Sequence, residues 1–356
     1  MNKIILGKTG IVIEKQGFGC LPIQRISQQD AVYLLHKAYD GGINFFDTAR
    51  AYSDSEQKVG AAFSDMRDHV VLATKTGAKT AEEFWKDLET SLRTLKTDYI
   101  DIYQFHNLIK TDYIDIYQFH NPSFCPQPGG EDGLYDAALK AKEQGKIRHI
   151  SITNHRLTVA HQAIDSGLYE TLQFPFSYLA GEQEMELVQK CREKNMGFIA
   201  MKGMAGGLIQ DGITAAAWMD TQEGVVPIWG VQRESELDQF LKCIREGAEL
   251  TKERLETIEK DRKELCGEFC RGCGYCMPCP AGIEINQCAR MSLMLRRAPA
   301  AAWLTESWQQ KMHQIENCLH CGHCMSKCPY GLNTPELLQA NYEDYWKVLE
   351  ESKKEK

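Results

Sequence analysis

The sequence predicts an α/β chain: a (β/α)8 barrel over residues 1–250, a helical linker over 251–265, and a small, mostly α-helical domain over 266–356. Three observations carry this prediction. Short β-rich runs alternate with longer helical patterns through the first 250 residues, and strands separated by helices form parallel βαβ units. The runs number eight, which closes a barrel in a segment of this length. Cysteine then crowds the carboxyl-terminal part, where ten of the 14 lie between Cys266 and Cys328.

The elements follow in order. Gln16–Gly19 is the first run. Ala31, Val32, Leu34, Leu35, Ala38 and Tyr39 mark one face of a helix that Gly41 and Gly42 end. Ile43–Asp47 and Val70–Thr74 are the second and third strands. Thr80-Ala-Glu-Glu83 reads as a capping box opening a helix with Phe84, Leu88, Leu92 and Leu95 on one side. Tyr99–Phe105, Arg148–Ile152, Leu172–Phe174, Phe198–Met201 and Val226–Trp229 complete the eight. A charged helical stretch, Thr251–Leu265, bridges to the cysteine-rich part. There Thr334-Pro335-Glu336 opens a last helix, with Thr as N-cap and Pro at the first position.

One feature strains this scheme. Lys96–Asn107 recurs letter for letter as Lys110–Asn121. Strand number, tilt and shear are linked, so an eight-stranded barrel holds one copy. With the first copy in the barrel, the second lies over the face that carries chemistry. With the second in the barrel, the first lies at the opposite face, where an insertion disturbs less. The second is therefore preferred.

Apolar residues make up 43% of the chain and charged residues 25%, an ordinary soluble composition. A net charge of −8 argues against nucleic acid or an anionic membrane as the main partner. The chain reaches Lys3 at once, has no apolar signal core and no run long enough to span a bilayer, so a cytoplasmic location is expected. In that setting dense, closely spaced thiols bind a metal or a cluster rather than form disulfides.

The spacing identifies the thiols concerned. Cys270, Cys273, Cys276 and Cys279 form one run and Cys318, Cys321, Cys324 and Cys328 another, each closed by Cys-Pro. The second run resembles the bacterial ferredoxin pattern in every spacing; the first is one residue short before its last Cys. In ferredoxins the last cysteine ligates the other cluster. The resemblance thus implies two [4Fe–4S] clusters, one on Cys270, Cys273, Cys276 and Cys328, the other on Cys318, Cys321, Cys324 and Cys279. Four-thiolate zinc and a single cluster are the alternatives. Cys266 and Cys288 fall outside the pattern, and Cys20, Cys125, Cys191 and Cys243 read as small buried residues.

In the barrel, Leu6-Gly-Lys-Thr-Gly10, Gly17-Phe-Gly19, Asp47-Thr-Ala-Arg-Ala-Tyr52, Ser55-Glu56, Thr74-Lys75, Gln104-Phe-His106-Asn107 and Ile152-Thr-Asn154 stand in an order and spacing that resemble the aldo-keto reductases. A bacterial subfamily of these enzymes carries a ferredoxin-like extension, so the resemblance spans nearly the whole chain. It implies hydride transfer between NADP(H), with NAD as the alternative, and a small carbonyl or alcohol. Tyr52 would protonate the alkoxide. A phenol of pKa near 10 is a weak acid at neutral pH, and a cation beside it would strengthen it. Lys75 would be that cation, balanced by Asp47. One histidine of the repeat, His106 or His120, would orient the carbonyl or relay the proton. The resemblance also assigns the nicotinamide carboxamide to Thr153, Asn154 and Gln173, and the 2′-phosphate to the region of Arg233. No G-x-G-x-x-G follows a strand, so a Rossmann site is not supported.

Three functions fit these readings. The first is a reductase whose clusters relay electrons to or from a redox partner protein, although nicotinamide moves two electrons and a cubane one. The second is an electron-transfer protein that uses the barrel as a scaffold. The third is a reductase whose clusters only stabilise the carboxyl-terminal domain.

Overall fold

The computed structural model describes residues 3–97, 114–265, 269–297 and 300–354. The strand expected at Tyr99–Phe105, together with His106 and Cys266, lies outside them. The described chain divides into two compact units: Met1–Gly203 with Asp211–Leu255, and Met204–Gln210 with Glu256–Lys356.

The first unit opens with a hairpin, β1 (Lys3–Ile5) and β2 (Val12–Glu14), absent from the sequence expectation. Eight parallel strands then close a barrel: β3 (Gly17–Gly19), β4 (Phe45–Asp47), β5 (Val71–Thr76), β6 (Ile114–His120), β7 (Ile147–Thr153), β8 (Thr171–Pro175), β9 (Gly197–Met201) and β10 (Val225–Gly230). Eight helices follow the strands: α1 (Gln28–Asp40), α2 (Ser55–Phe63), α3 (Ala81–Thr94), α4 (Leu134–Glu143), α5 (Leu157–Ser166), α6 (Glu182–Glu193), α7 (Gly212–Asp220) and α8 (Glu234–Glu246). Caps set several boundaries. The Ser27 hydroxyl accepts from Asp30 N and the Thr80 hydroxyl from Glu83 N, and Gly41 ends α1. The capping box is modified: the Glu83 carboxylate reaches Lys79 N rather than Thr80 N.

The strand between β5 and β7 is the second copy of the repeat. Ala73 pairs with Ile116 on one side, and Tyr117 with Ile150 on the other. Asp115 pins it in place. Its buried carboxylate accepts from Arg67 Nη2 at 2.9 Å, Arg148 Nη1 at 2.6 Å and Leu72 N at 3.1 Å.

The hairpin stoppers the amino-terminal end of the barrel. Leu6, Ile11 and Ile13 join Phe45, Ala73, Ile116, Ile199, Val226 and Ile228 in one apolar cluster. Gly7, at a φ of 53°, passes so close to β9 that a Cβ would lie 2.2 Å from Gly197 N. Only glycine meets both conditions.

The second unit is helical. α9 (Lys252–Glu264) leads to α10 (Ile285–Cys288), α11 (Met291–Arg297), α12 (Glu306–His313), α13 (His323–Lys327) and α14 (Thr334–Lys354). Its core gathers Ile283, Met291, Met312, Ile315, Leu338 and Tyr345 with Cys276, Cys288 and Cys324. Among the described residues no helix is long and apolar enough to cross a membrane.

Candidate functional sites in the two units

The first site lies at the carboxyl-terminal ends of β4 to β8, where parallel barrels carry their chemistry. Asp47 ends β4 and Lys75 is the penultimate residue of β5; both are essentially inaccessible. Lys75 Nζ donates to Asp47 Oδ2 at 2.5 Å and to the Thr48 carbonyl at 2.6 Å. Two buried amides complete the grip on Asp47: Gln118 Nε2 reaches Oδ1 at 3.0 Å and Gln173 Nε2 reaches Oδ2 at 3.3 Å. Burial pushes the Asp47 carboxyl above its ordinary value, and Lys75 and then the two amides pull it back.

Tyr52 lies in the loop between β4 and α2 rather than on a strand end. Its ring is 5.2 Å from Lys75 Nζ and meets the His120 ring edge-on, with centroids 5.8 Å apart. Burial pushes the Tyr52 phenol up, and Asp47 and Cys20 add to the push. The acidifying influence expected from Lys75 is outweighed, since that cation is already engaged by Asp47. Tyr52 is therefore a neutral phenol across the physiological range. His120, the last residue of β6, is held down to about 3 by burial and then by the charge of Lys75. It is a neutral imidazole, a hydrogen-bonding group rather than an acid.

The remaining rim residues differ in what they have free. Thr153 pairs in register with both His120 and Gln173. Its hydroxyl has Met201 Sδ as a weak partner at 3.9 Å. Gln173 Oε1 and Gln118 Oε1 are buried without a hydrogen-bond partner. Asn154 is used locally: Nδ2 donates to the Pro122 carbonyl, while Oδ1 accepts from His155 N and Arg156 N. Arg233 is exposed, with Nε on Glu236 Oε1 at 3.0 Å. Gln118 carried no assigned role in the sequence. It stands two residues before His120, on the same face of the strand, and that period-2 relation was the available signal. His155, after β7, was also missed. It is pushed far below its ordinary value by burial first and then by Lys202, His120 and Arg156, so it too is a neutral imidazole.

The second site lies in the helical unit. Cys279, Cys318, Cys321 and Cys324 line one small hollow, partly open to solvent and otherwise walled mainly by Pro280, Ala281, Ile283, Ile285, Pro335 and Leu338. The fourth thiol of the first run thus stands with the first three of the second. The groups that act on Cys270 include Cys273 and Cys328, and those that act on Cys276 include Cys270, Cys273 and also Cys324 of the other run. Among the described residues no three His, Cys, Asp or Glu side chains close on a point as the ligands of a lone ion do. The grouping of Cys279 with Cys318, Cys321 and Cys324 is the crossed arrangement of ferredoxin-type thiols. Cys288, outside both sets, is buried in the core, as are Cys20, Cys125, Cys191 and Cys243 in the barrel unit.

Comparison with known proteins agrees with this division. The model of the aldo/keto reductase family matches residues 3–260, and that of a 4Fe-4S dicluster domain matches residues 269–333. L-Galactose dehydrogenase of Arabidopsis thaliana is 27% identical over 225 residues, which are 58% of this chain and 66% of that protein. The uncharacterized oxidoreductase YqkF of Bacillus subtilis is 28% identical over 230 residues, 59% of this chain and 67% of that one. The chain thus spans about two thirds of the length of these relatives. Among solved structures, the holo form of aldo-keto reductase AKR11C1 from Bacillus halodurans superposes with a TM-score of 0.62 at 21% identity, covering 75% of this chain and 98% of that one. An aldo/keto reductase from Klebsiella pneumoniae in complex with NADP and acetate gives 0.59 at 23%, covering 73% and 95%.

Proposed function

The chain belongs to the aldo/keto reductase family and carries a 4Fe-4S dicluster domain, and we propose that it is a cytoplasmic, NADP(H)-linked oxidoreductase interconverting a small carbonyl compound and its alcohol. The observation that carries this reading is the buried Lys75–Asp47 pair with Tyr52 and His120 beside it. Bound nicotinamide would supply or take up the hydride. Thr153 and Gln173 would hold its carboxamide, with Arg233 toward the phosphate end. A complex of a neighbour with NADP supports that choice of cofactor.

The chain's own residues supply the rest. The oxygen of a reduced carbonyl develops negative charge and needs a proton at once. Tyr52, neutral because burial disfavours its phenolate, holds that proton at its hydroxyl. Negative charge passing to the phenol oxygen would then be stabilised by Lys75. Neutral His120 orients the carbonyl through one ring nitrogen. Asp47 fixes Lys75 and balances its charge, and the Gln118 and Gln173 amides hold the carboxylate in place.

Tyr52→Phe tests this reading. With an aryl aldehyde such as 4-nitrobenzaldehyde, NADPH consumption is expected to fall by at least about 100-fold, the lower end of what general acid catalysis contributes. Undiminished turnover would remove Tyr52 from the chemistry. The two crossed thiol sets support a second role, a one-electron relay to a partner protein. Bleaching of the visible cluster absorption by NADPH under anaerobic conditions would support that relay.

A further inference from the structure

The helical unit contains a buried positive charge that no carboxylate balances among the described residues. Arg290, between α10 and α11, is 4% exposed. Its Nη2 donates to the Gly206 carbonyl at 2.8 Å and lies 3.2 Å from Met294 Sδ, and Nε is buried without a hydrogen-bond partner. The guanidinium rests against the loop of the first thiol run. A Cβ on Gly272, where φ is 63°, would stand 2.4 Å from Arg290 Nη1, and the same residue's N–H points to Cys270 Sγ at 3.4 Å.

A desolvated cation without a counter-ion is costly to fold around. Four thiolates around a four-iron cluster carry a net negative charge in both redox states, and one unit more when reduced. Such a group beside Cys270 would balance the guanidinium, and the guanidinium would favour the more negative, reduced form. Among the described residues the second thiol set has no equivalent. Its hollow is lined by His320 and His323, neither buried, and by no Arg or Lys, and Cys321 is exposed. Arg271 adjoins the first run, but it is partly exposed and stacked over Phe269 and Tyr330, where water screens it.

We propose that Arg290 is the counter-cation of the cluster on Cys270, Cys273, Cys276 and Cys328. Its charge places that cluster's reduction potential above that of the cluster on Cys279, Cys318, Cys321 and Cys324. One electron entering at the exposed Cys321 side therefore moves to the first cluster, which is reduced as the second is reoxidised, and collects there. This rests on the reading of two clusters in this unit.

The test is a potentiometric titration of the anaerobic, iron-loaded full chain, followed by electron paramagnetic resonance, for the wild type, Arg290→Gln and Arg290→Lys. Iron analysis comes first. Two four-iron clusters require about eight irons per wild-type chain, and about four would be the separate failure of the two-cluster reading. With two midpoints in hand, Arg290→Gln is expected to weaken reduction of the higher-potential cluster at least tenfold. That is a fall of about 59 mV for a one-electron couple, with the other midpoint little changed. Arg290→Lys keeps the charge and the midpoint. Loss of the first cluster in Arg290→Gln with retention in Arg290→Lys would equally support the counter-cation role. Unmoved midpoints in fully loaded Arg290→Gln would overturn the proposal, as would equal shifts of both. So would a Lys variant that falls as far as Gln, since contact rather than charge would then be at work.

Discussion

Replacing Asp115 by Ala removes the carboxylate that ties β5, β6 and β7 together, whereas the same change at Asp101 alters the other copy of the repeat, outside the described residues. The Arg67 side chain is 5% exposed, and stripping a buried ion pair of one partner costs about 3–5 kcal/mol. Leu72 N–H loses its acceptor, a further cost of about 1–3 kcal/mol. Arg148 is 48% exposed and adds about 0–1 kcal/mol. One carboxylate serves all three, so the costs overlap and the expected total is about 4 kcal/mol. At roughly 2–4 °C per kcal/mol for a unit of this size, the barrel transition should fall by about 10 °C. Circular dichroism melts of iron-loaded protein would measure it. Asp101→Ala should cost clearly less than Asp115→Ala, because β6 is built from the second copy. A large drop for Asp101→Ala with an unmoved Asp115→Ala would refute the assignment of β6 to the second copy.

Two further outcomes follow from the same kind of accounting. Gln118→Leu deletes a donor to Asp47 but also deletes a buried acceptor without a partner, so its melting point should change little, by about 1 kcal/mol or less. Asp47 then titrates higher, and the acid limb of aldehyde reduction should move to higher pH; an unshifted limb would mean that Gln118 does not act through Asp47. Glu170 shows the opposite sign. Burial works to raise it, but His149 and Lys142 outweigh burial and hold it at about 2. Its folded value lies below the unfolded value of about 4.3, so the stabilisation is complete above that pH and disappears as pH falls toward 2. In urea titrations, Glu170→Gln should be less stable than wild type near pH 6, and the gap should close between about pH 4 and pH 2. A gap independent of pH would count against the pairing.

Much of the barrel was legible because strands buried on both faces must be written as continuous apolar runs. Phe198–Met201 and Val226–Trp229 needed little more than that pattern to be placed. The hairpin was not legible: each strand has three residues, and Ile5 and Val12 are exposed, so no alternation stands out. Two identical copies hold no local information about which one enters the barrel; the flanking contacts of Asp115 decide. At the site, order along the chain pointed to Asp47, Tyr52, Lys75 and one histidine of the repeat, and the structure sets the Tyr52 ring beside Lys75 and His120. That Asn154 spends its side chain on neighbouring backbone is a matter of loop geometry, which spacing does not encode. The membership of Met204–Gln210 in the helical unit has no local signal either, because it arises from contacts such as Arg290 with Gly206, 84 positions apart.

The stopper formed by Leu6, Ile11 and Ile13 bears on traffic through the barrel. Behind it the barrel interior is packed side chains rather than a pore. A small molecule that bound beside Tyr52 and His120 would therefore enter and leave on the carboxyl-terminal side alone, and would have to pass any molecule lying over that opening.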